Sequence, residues 1–191
     1  MPTVAVVLLY LVQHGQAKVE DEDPQRPLTD RGVDDVTQVA HLAVDWIGCR
    51  PVRVVHSGKQ RARQTAEIWG GLLGIDPEEG DGLAPNDDPT TWVERIANEP
   101  ADLMLVGHLP HLGRLASVLV TGGPSRELIG FQQGGLVALD RKDAGWLVAL
   151  ALPPSAATPR PHPAALNTAQ SPNVGTERRR EGRREPRQDG T

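Results

Sequence analysis

The chain has 191 residues, with 20 Lys and Arg against 25 Asp and Glu for a net charge of −5, and a single cysteine, Cys49. One thiol makes no internal disulfide, so stapled secreted scaffolds and most cysteine-rich zinc modules are excluded, and a reducing, cytoplasmic compartment is the expectation. The charge is uneven: residues 153–191 hold seven Arg, no Lys, four acids and seven of the 17 prolines, leaving residues 1–152 with 13 basic and 21 acidic side chains. An acidic body speaks against a nucleic-acid partner, although it still permits a compact positive pocket.

Met1 to Val12 is almost wholly apolar. It lacks a basic n-region and a small-residue cleavage site and runs straight into Gln13-His14-Gly15, so it reads as a buried strand and not a signal peptide. It is also shorter than the roughly 20 apolar residues a membrane span needs, and no later segment reaches that length, so no membrane partner is expected. A polar loop, Gln16 to Arg26, leads to Pro27-Leu28-Thr29-Asp30-Arg31-Gly32, a turn with a capping hydroxyl or carboxylate ahead of a helix. Val33, Val36, Val39, Ala40, Ala43 and Ile47 continue at helical spacing and define its apolar face.

Pro51 to His56 is a short β-branched run that ends at Ser57-Gly58, before a helix over Lys59 to Leu73. A Gly/Asp/Pro-rich loop, Gly74 to Pro89, and a short helix near Trp92 to Asn98 lead to a third strand, Leu103 to Val106. Gly107-His108 follows, then an apolar helix from His111 to Val120. Closing strands are expected at Leu136 to Leu139 and Trp146 to Leu152, the second stopped by Pro153-Pro154. Cys49 and the scattered Trp46, Trp69, Trp92 and Trp146 read as core. Alternating strands and helices imply an α/β layer fold with a mostly parallel sheet over residues 1–152. Residues 153–191, with Leu166 and Val174 as their only large aliphatics, are expected to form a disordered Pro/Arg-rich tail.

Open parallel α/β sheets bind ligands beyond the carboxyl ends of their strands. Here the first strand delivers Gln13-His14-Gly15, the second His56-Ser57-Gly58 followed by Arg61 and Arg63, and the third Gly107-His108. A histidine within two residues of all three strand ends, from only six in the chain, predicts one converging site, although each alone also suits a hydrogen-bonded structural role. Gly beside His lets backbone N–H groups approach a ligand, and neighbouring helix N-termini favour anions. Two imidazoles and an Arg fork, with no nucleotide-binding Lys-Ser/Thr loop, suit a phosphoryl group.

Leu11-Val12-Gln13-His14-Gly15-Gln16-Ala17, Arg26-Pro27-Leu28-Thr29-Asp30-Arg31-Gly32, Ser57-Gly58-Lys59-Gln60-Arg61-Ala62-Arg63-Gln64-Thr65-Ala66 and Val106-Gly107-His108-Leu109-Pro110 together resemble the histidine phosphatase (phosphoglycerate mutase-like) superfamily, in its SixA-type phosphohistidine phosphatase branch. Leu83 to Pro89 and Phe131 to Val137 also resemble that branch. The resemblance implies a three-layer α/β/α sandwich with a mostly parallel central sheet and no large cap insertion. It further implies a phosphatase in which His14 takes the phosphoryl group, Arg61 binds its oxygens and His108 stabilises the transferring charge. Gln13, Gly15, Arg26 and Ser57 would contact the substrate, a phosphorylated protein or a small phosphorylated molecule. Neutral imidazole is nucleophilic near pH 7, so this chemistry needs no metal or other cofactor; metal-assisted hydrolysis lacks a supporting cluster of ligands.

The superfamily carries Arg immediately before the nucleophilic His, whereas this chain has Gln13, a neutral amide in place of a bidentate cation. Arg26 is placed either to compensate or to pair with nearby acids, and Lys18 and Lys59 are expected at the surface. Asp81, Asp87, Asp88 and Glu99 are the acids available near the pocket, though loop carboxylates commonly serve only solubility. Three readings follow: a phosphohistidine phosphatase, a phosphate-binding module weakened by Gln13, and a small-molecule phosphomonoesterase.

Overall fold

The computed structural model describes residues 7–124 and 128–157. Along them run β1 (Leu8–Gln13), α1 (Asp30–His41), β2 (Arg53–His56), α2 (Gln60–Leu73), β3 (Glu78–Glu79), α3 (Thr90–Ala97), β4 (Leu103–Gly107), α4 (His111–Thr121), β5 (Leu136–Lys142), β6 (Gly145–Leu152) and α5 (Pro154–Ala157). The strands form one sheet in the order β3-β2-β4-β1-β5-β6. Pairing is parallel from β3 through β1 and antiparallel from β1 through β6. The expected α/β fold with a largely parallel sheet is therefore present, and no helix among the described residues is long and apolar enough to cross a membrane.

The period-two geometry of a strand divides the core in two. Tyr10, Val12, Met104, Val106, Leu136 and Ala138 face α1 and α2, where they meet Val36, Val39, Ala40, Ala62, Ala66 and Trp69. Leu9, Leu11, Leu103, Leu105, Val137 and Leu139 face the other way, onto Trp92 and Ile96 of α3 and Leu112, Leu115 and Ala116 of α4. Strands covered on both faces need apolar residues at every position, which is why Leu8 to Val12 and Leu103 to Val106 read as unbroken apolar runs.

Register carries the strand ends to one level. Gln13 pairs with Gly107 and His56 with Val106, so His14, Ser57 and His108 all emerge at the same edge of the sheet. The return from β1 to α1 is equally constrained. Ala17 bridges Leu28, closing the polar loop, and Thr29 caps α1 by accepting from Gly32 N–H at 3.0 Å. Gly32 lies so close to the carbonyl of Gln16 that a Cβ there would overlap it.

Four expectations need correction. Val33 and Ile47 are exposed, although the rest of the predicted stripe is buried. Val33 sits at the margin of that stripe, while past His41 the backbone widens into a π-helical turn, Leu42–Ile47, so the 3.6-residue phase no longer holds. The same change turns Trp46 outward to 83% exposure; Trp69 and Trp92 are buried as expected and Trp146 is half-buried. The loop Gly74 to Pro89 contains β3, whose two glutamates carried no strand signal. Order also continues past Pro153: α5 packs on the first core through Ala157, while the reading of the tail from residue 158 onward lies outside the described residues.

The contrast between tryptophans is measurable. Trp69→Ala should lower unfolding stability by about 3–5 kcal/mol, whereas Trp46→Ala should change it by no more than about 0.5 kcal/mol. Urea unfolding midpoints of the two variants provide the check.

Candidate active site

His14 directly follows β1, and its ring stands 2.7 Å from the carbonyl of Gly15 through Nδ1. A carbonyl oxygen only accepts, so Nδ1 carries the proton and Nε2 keeps its lone pair. Arg61, in the first turn of α2, donates from Nε to that Nε2 at 3.2 Å. His108 follows β4; its ring centre lies 4.8 Å from that of His14, and its Nε2 is 2.6 Å from Ser57 Oγ. Three strand ends thus bring His14, Arg61, Ser57 and His108 into one cluster.

Thr65 locks this cluster together. Its hydroxyl donates to the carbonyl of Arg61 at 2.7 Å and accepts from Gly15 N–H at 3.0 Å, tying the turn after β1 to the first turn of α2. Sequence reasoning did not single it out, but the signal was its position four residues beyond Arg61, on the same helix face. Gly15 itself is required by space: a Cβ would lie 2.8 Å from both the Gly32 carbonyl and Val36 Cγ2.

Arg26 is held in the left-handed region, at φ 51, by a turn in which its N–H donates to Asp23 O at 2.9 Å and its Nε to Lys18 O at 3.2 Å. Non-glycine residues reach that region only when their surroundings impose it, and they cluster at functional sites. Arg26 makes no ion pair with an acid among the described residues, and its charge acts on both His14 and Arg61. Lys18 pairs with Glu22 at 3.0 Å. Lys59 is exposed ahead of α2, where its charge reaches His108.

Gln13 is buried at the last position of β1, with its Oε1 enclosed and without a partner. His56, the third strand-end histidine, does not join the cluster through its ring: its Nδ1 accepts from Gly58 N–H at 3.0 Å and serves the turn. Three of the four candidate acids are engaged elsewhere. Asp87 accepts from Ala84 N–H, Asp88 from Thr90 N–H, and Glu99 from Arg53.

Burial dominates the electrostatics. It lowers His14 to about 4, with Arg61 and Arg26 pushing the same way and the Gly15 carbonyl opposing them. Burial likewise lowers His108 to about 3, assisted by the charges of His14, Arg61, Lys59 and His111. Both rings are therefore neutral near pH 7, and the fixed charges acting on them, those of Arg61, Arg26 and Lys59, are positive. An unprotonated ring nitrogen beside guanidinium groups is chemically suited to accept a phosphoryl group.

Comparison with known proteins agrees with this geometry. The sequence pattern of the histidine phosphatase superfamily, branch 1, matches residues 9–85. An uncharacterized protein of Picosynechococcus sp. is 34% identical over 139 residues, which cover 69% of this chain and 83% of that protein. The chain belongs to the histidine phosphatase superfamily. It is a phosphatase by class, and it sits with the SixA-type members. The protein histidine phosphatase SixA complexed with tungstate has the same fold (TM-score 0.68, 23% identity, 78% of this chain and 98% of that one). So does a putative phosphohistidine phosphatase SixA from Agrobacterium tumefaciens (TM-score 0.62, 29% identity, 76% and 97%). The alpha-ribazole phosphatase from Shigella flexneri shares the fold at 14% identity (TM-score 0.65, 78% and 97%). As in the compact histidine phosphatases expected from the sequence, only β3 and α3 lie between α2 and β4, with no large cap insertion.

Neutral buried histidines make the fold sensitive to acid. The unfolded chain binds protons on His14 and His108 below about pH 6.5, while the folded chain resists until about 4 and about 3. The unfolded state therefore holds more protons in that interval, and stability should fall as the pH drops from 6.5 towards 4, by up to about 1.4 kcal/mol per pH unit for each group. Urea midpoints measured between pH 7 and 4.5 should decline steadily; a flat profile would contradict the neutral-pocket assignment.

Proposed function

We propose that the protein is a phosphohistidine phosphatase, removing phosphate from a histidine of a phosphorylated protein through a phospho-His14 intermediate. The observation that carries this reading is the Nδ1 bond of His14, which leaves an unprotonated Nε2 against Arg61. Nε2 attacks phosphorus, the N–P bond to the substrate imidazole breaks as that to His14 forms, and water then hydrolyses the phosphoenzyme. Arg61 and Arg26 bind the phosphoryl oxygens; Ser57, Gln13 and the Gly15 region line the substrate side. His108 becomes imidazolium once a bound dianion offsets the surrounding positive charge, and it donates where charge develops.

The substrate class follows from what the pocket offers. An alkoxide leaving group needs a positioned acid, and three of the four nearby carboxylates are committed to turns or to Arg53. A departing imidazole is far less basic and takes its proton before it leaves. The absence of a cap insertion suits a substrate that is itself a protein, and the lone buried Cys49 suits a reducing cytoplasm. Gln13 favours a second reading, in which the uncharged pocket wall leaves a protein that binds phosphate without turnover.

Phosphate release from a phosphohistidine protein, without added metal, separates these readings. Release should be abolished in His14→Ala and reduced about 100-fold or more in Arg26→Ala, and Gln13→Arg should raise kcat/KM about tenfold or more. The acid limb of kcat/KM should lie near pH 4, where His14 takes its proton, and not near 6.5. Binding of inorganic phosphate with no release would establish the binding module. Hydrolysis of a sugar phosphate, with phosphohistidine untouched, would establish the phosphomonoesterase.

A further inference from the structure

His111 opens α4 three residues beyond His108, is completely buried, and has no hydrogen-bond partner on either ring nitrogen. His108 is nearly as deeply buried, and its Nδ1, the nitrogen opposite Ser57, is also without a partner. Buried polar atoms are almost always paired, so three such nitrogens on two neighbouring histidines call for a shared explanation. The segment joining them is fixed, because Leu112 N–H donates to the carbonyl of His108 at 2.9 Å.

An imidazolium has two N–H donors, and each needs an acceptor. On His108, Nε2–H is directed to Ser57 or to a phosphoryl oxygen, whereas Nδ1–H has no acceptor of its own. We infer that His111 is a positioning residue for His108, accepting the His108 Nδ1–H through one enclosed water molecule and so allowing that ring to become charged when a phosphoryl group binds. This rests on the phosphatase reading above. The surroundings of His111 fit the role: burial, with Arg114 acting the same way, lowers its proton affinity and leaves the ring a lone pair with which to accept, while Asp87 and Asp88 act in the opposite direction. Both carboxylates are held in place, by Ala84 N–H at 2.7 Å and Thr90 N–H at 2.9 Å.

The test follows His108 by NMR titration in the complex with inorganic phosphate, alongside turnover of a phosphohistidine protein. His111→Phe should lower the His108 titration midpoint by about one pH unit, a tenfold loss of proton affinity, and reduce kcat about tenfold with KM changed less than about twofold. Its thermal midpoint without phosphate should not fall, since in the free protein an unpaired buried polar ring is replaced by an apolar one. His111→Gln, whose carbonyl accepts a proton donor, should recover most of the His108 midpoint. An unchanged midpoint in folded His111→Phe overturns the assignment. Should that variant not fold, the wild-type phosphate complex decides: a hydrogen-bonded, slowly exchanging Nδ1–H on His108 supports the role, and an unprotonated Nδ1 overturns it. If the protein binds phosphate but releases none, the phosphatase reading fails while the titration still decides the role of His111.

Discussion

One short hydrogen bond, from the Nδ1 of His14 to the carbonyl of the next residue, sets what the rest of the structure must supply. With that proton placed, the opposite nitrogen has a lone pair and a direction, and neighbouring elements serve to keep it aimed. Thr65 ties the backbone of Gly15 to the turn carrying Arg61, so the ring and the guanidinium cannot drift apart independently. The close passage of Gly15 under Gly32 and Val36 leaves the turn no room to relax. Packing and chemistry meet in the same few residues.

The electrostatic design is a positive pocket in a negative body. Net charge says little about a site of this kind, because fixed guanidiniums act over a few ångströms while most carboxylates of the body are exposed to water. Burial keeps both pocket imidazoles neutral, and the cations around them reinforce that state. A doubly negative ligand reverses the sign of the local field. In the proposed reaction, ligand binding and protonation of His108 are therefore coupled, and the free energy of one is expressed in the other.

Much of this was legible in the sequence because parallel strands covered on both faces advertise themselves as unbroken apolar runs, and because their ends share one edge. That rule led directly to His14, Ser57, Arg61 and His108. It also admitted His56, whose Nδ1 serves the backbone of a turn, since proximity to a strand end does not say which way a ring points. Trp46 was misplaced because a helical period was extended across a π-helical turn that periodicity does not foresee. Glu78 and Glu79 form a strand only through pairing with β2, with no propensity of their own. His111 and Thr65 escaped notice because they lie on helices, where a polar residue on a buried face gives no strand-end cue.

The position of β1 in the sheet has a consequence for how the protein is made. The segment bearing His14 is made before either of its hydrogen-bonding partners, β4 on one side and β5 on the other, and β5 begins at Leu136. At roughly 5–20 residues per second, the apolar stretch Leu8 to Val12 stays without its second neighbour for on the order of ten seconds. Until then that uncharged, apolar segment lacks the ladder partner for its second edge, and an unpaired apolar edge is a template for pairing with other chains. The edge that carries His14 is complete only after β5 has docked, so the candidate site is assembled late, after most of the described residues have been made.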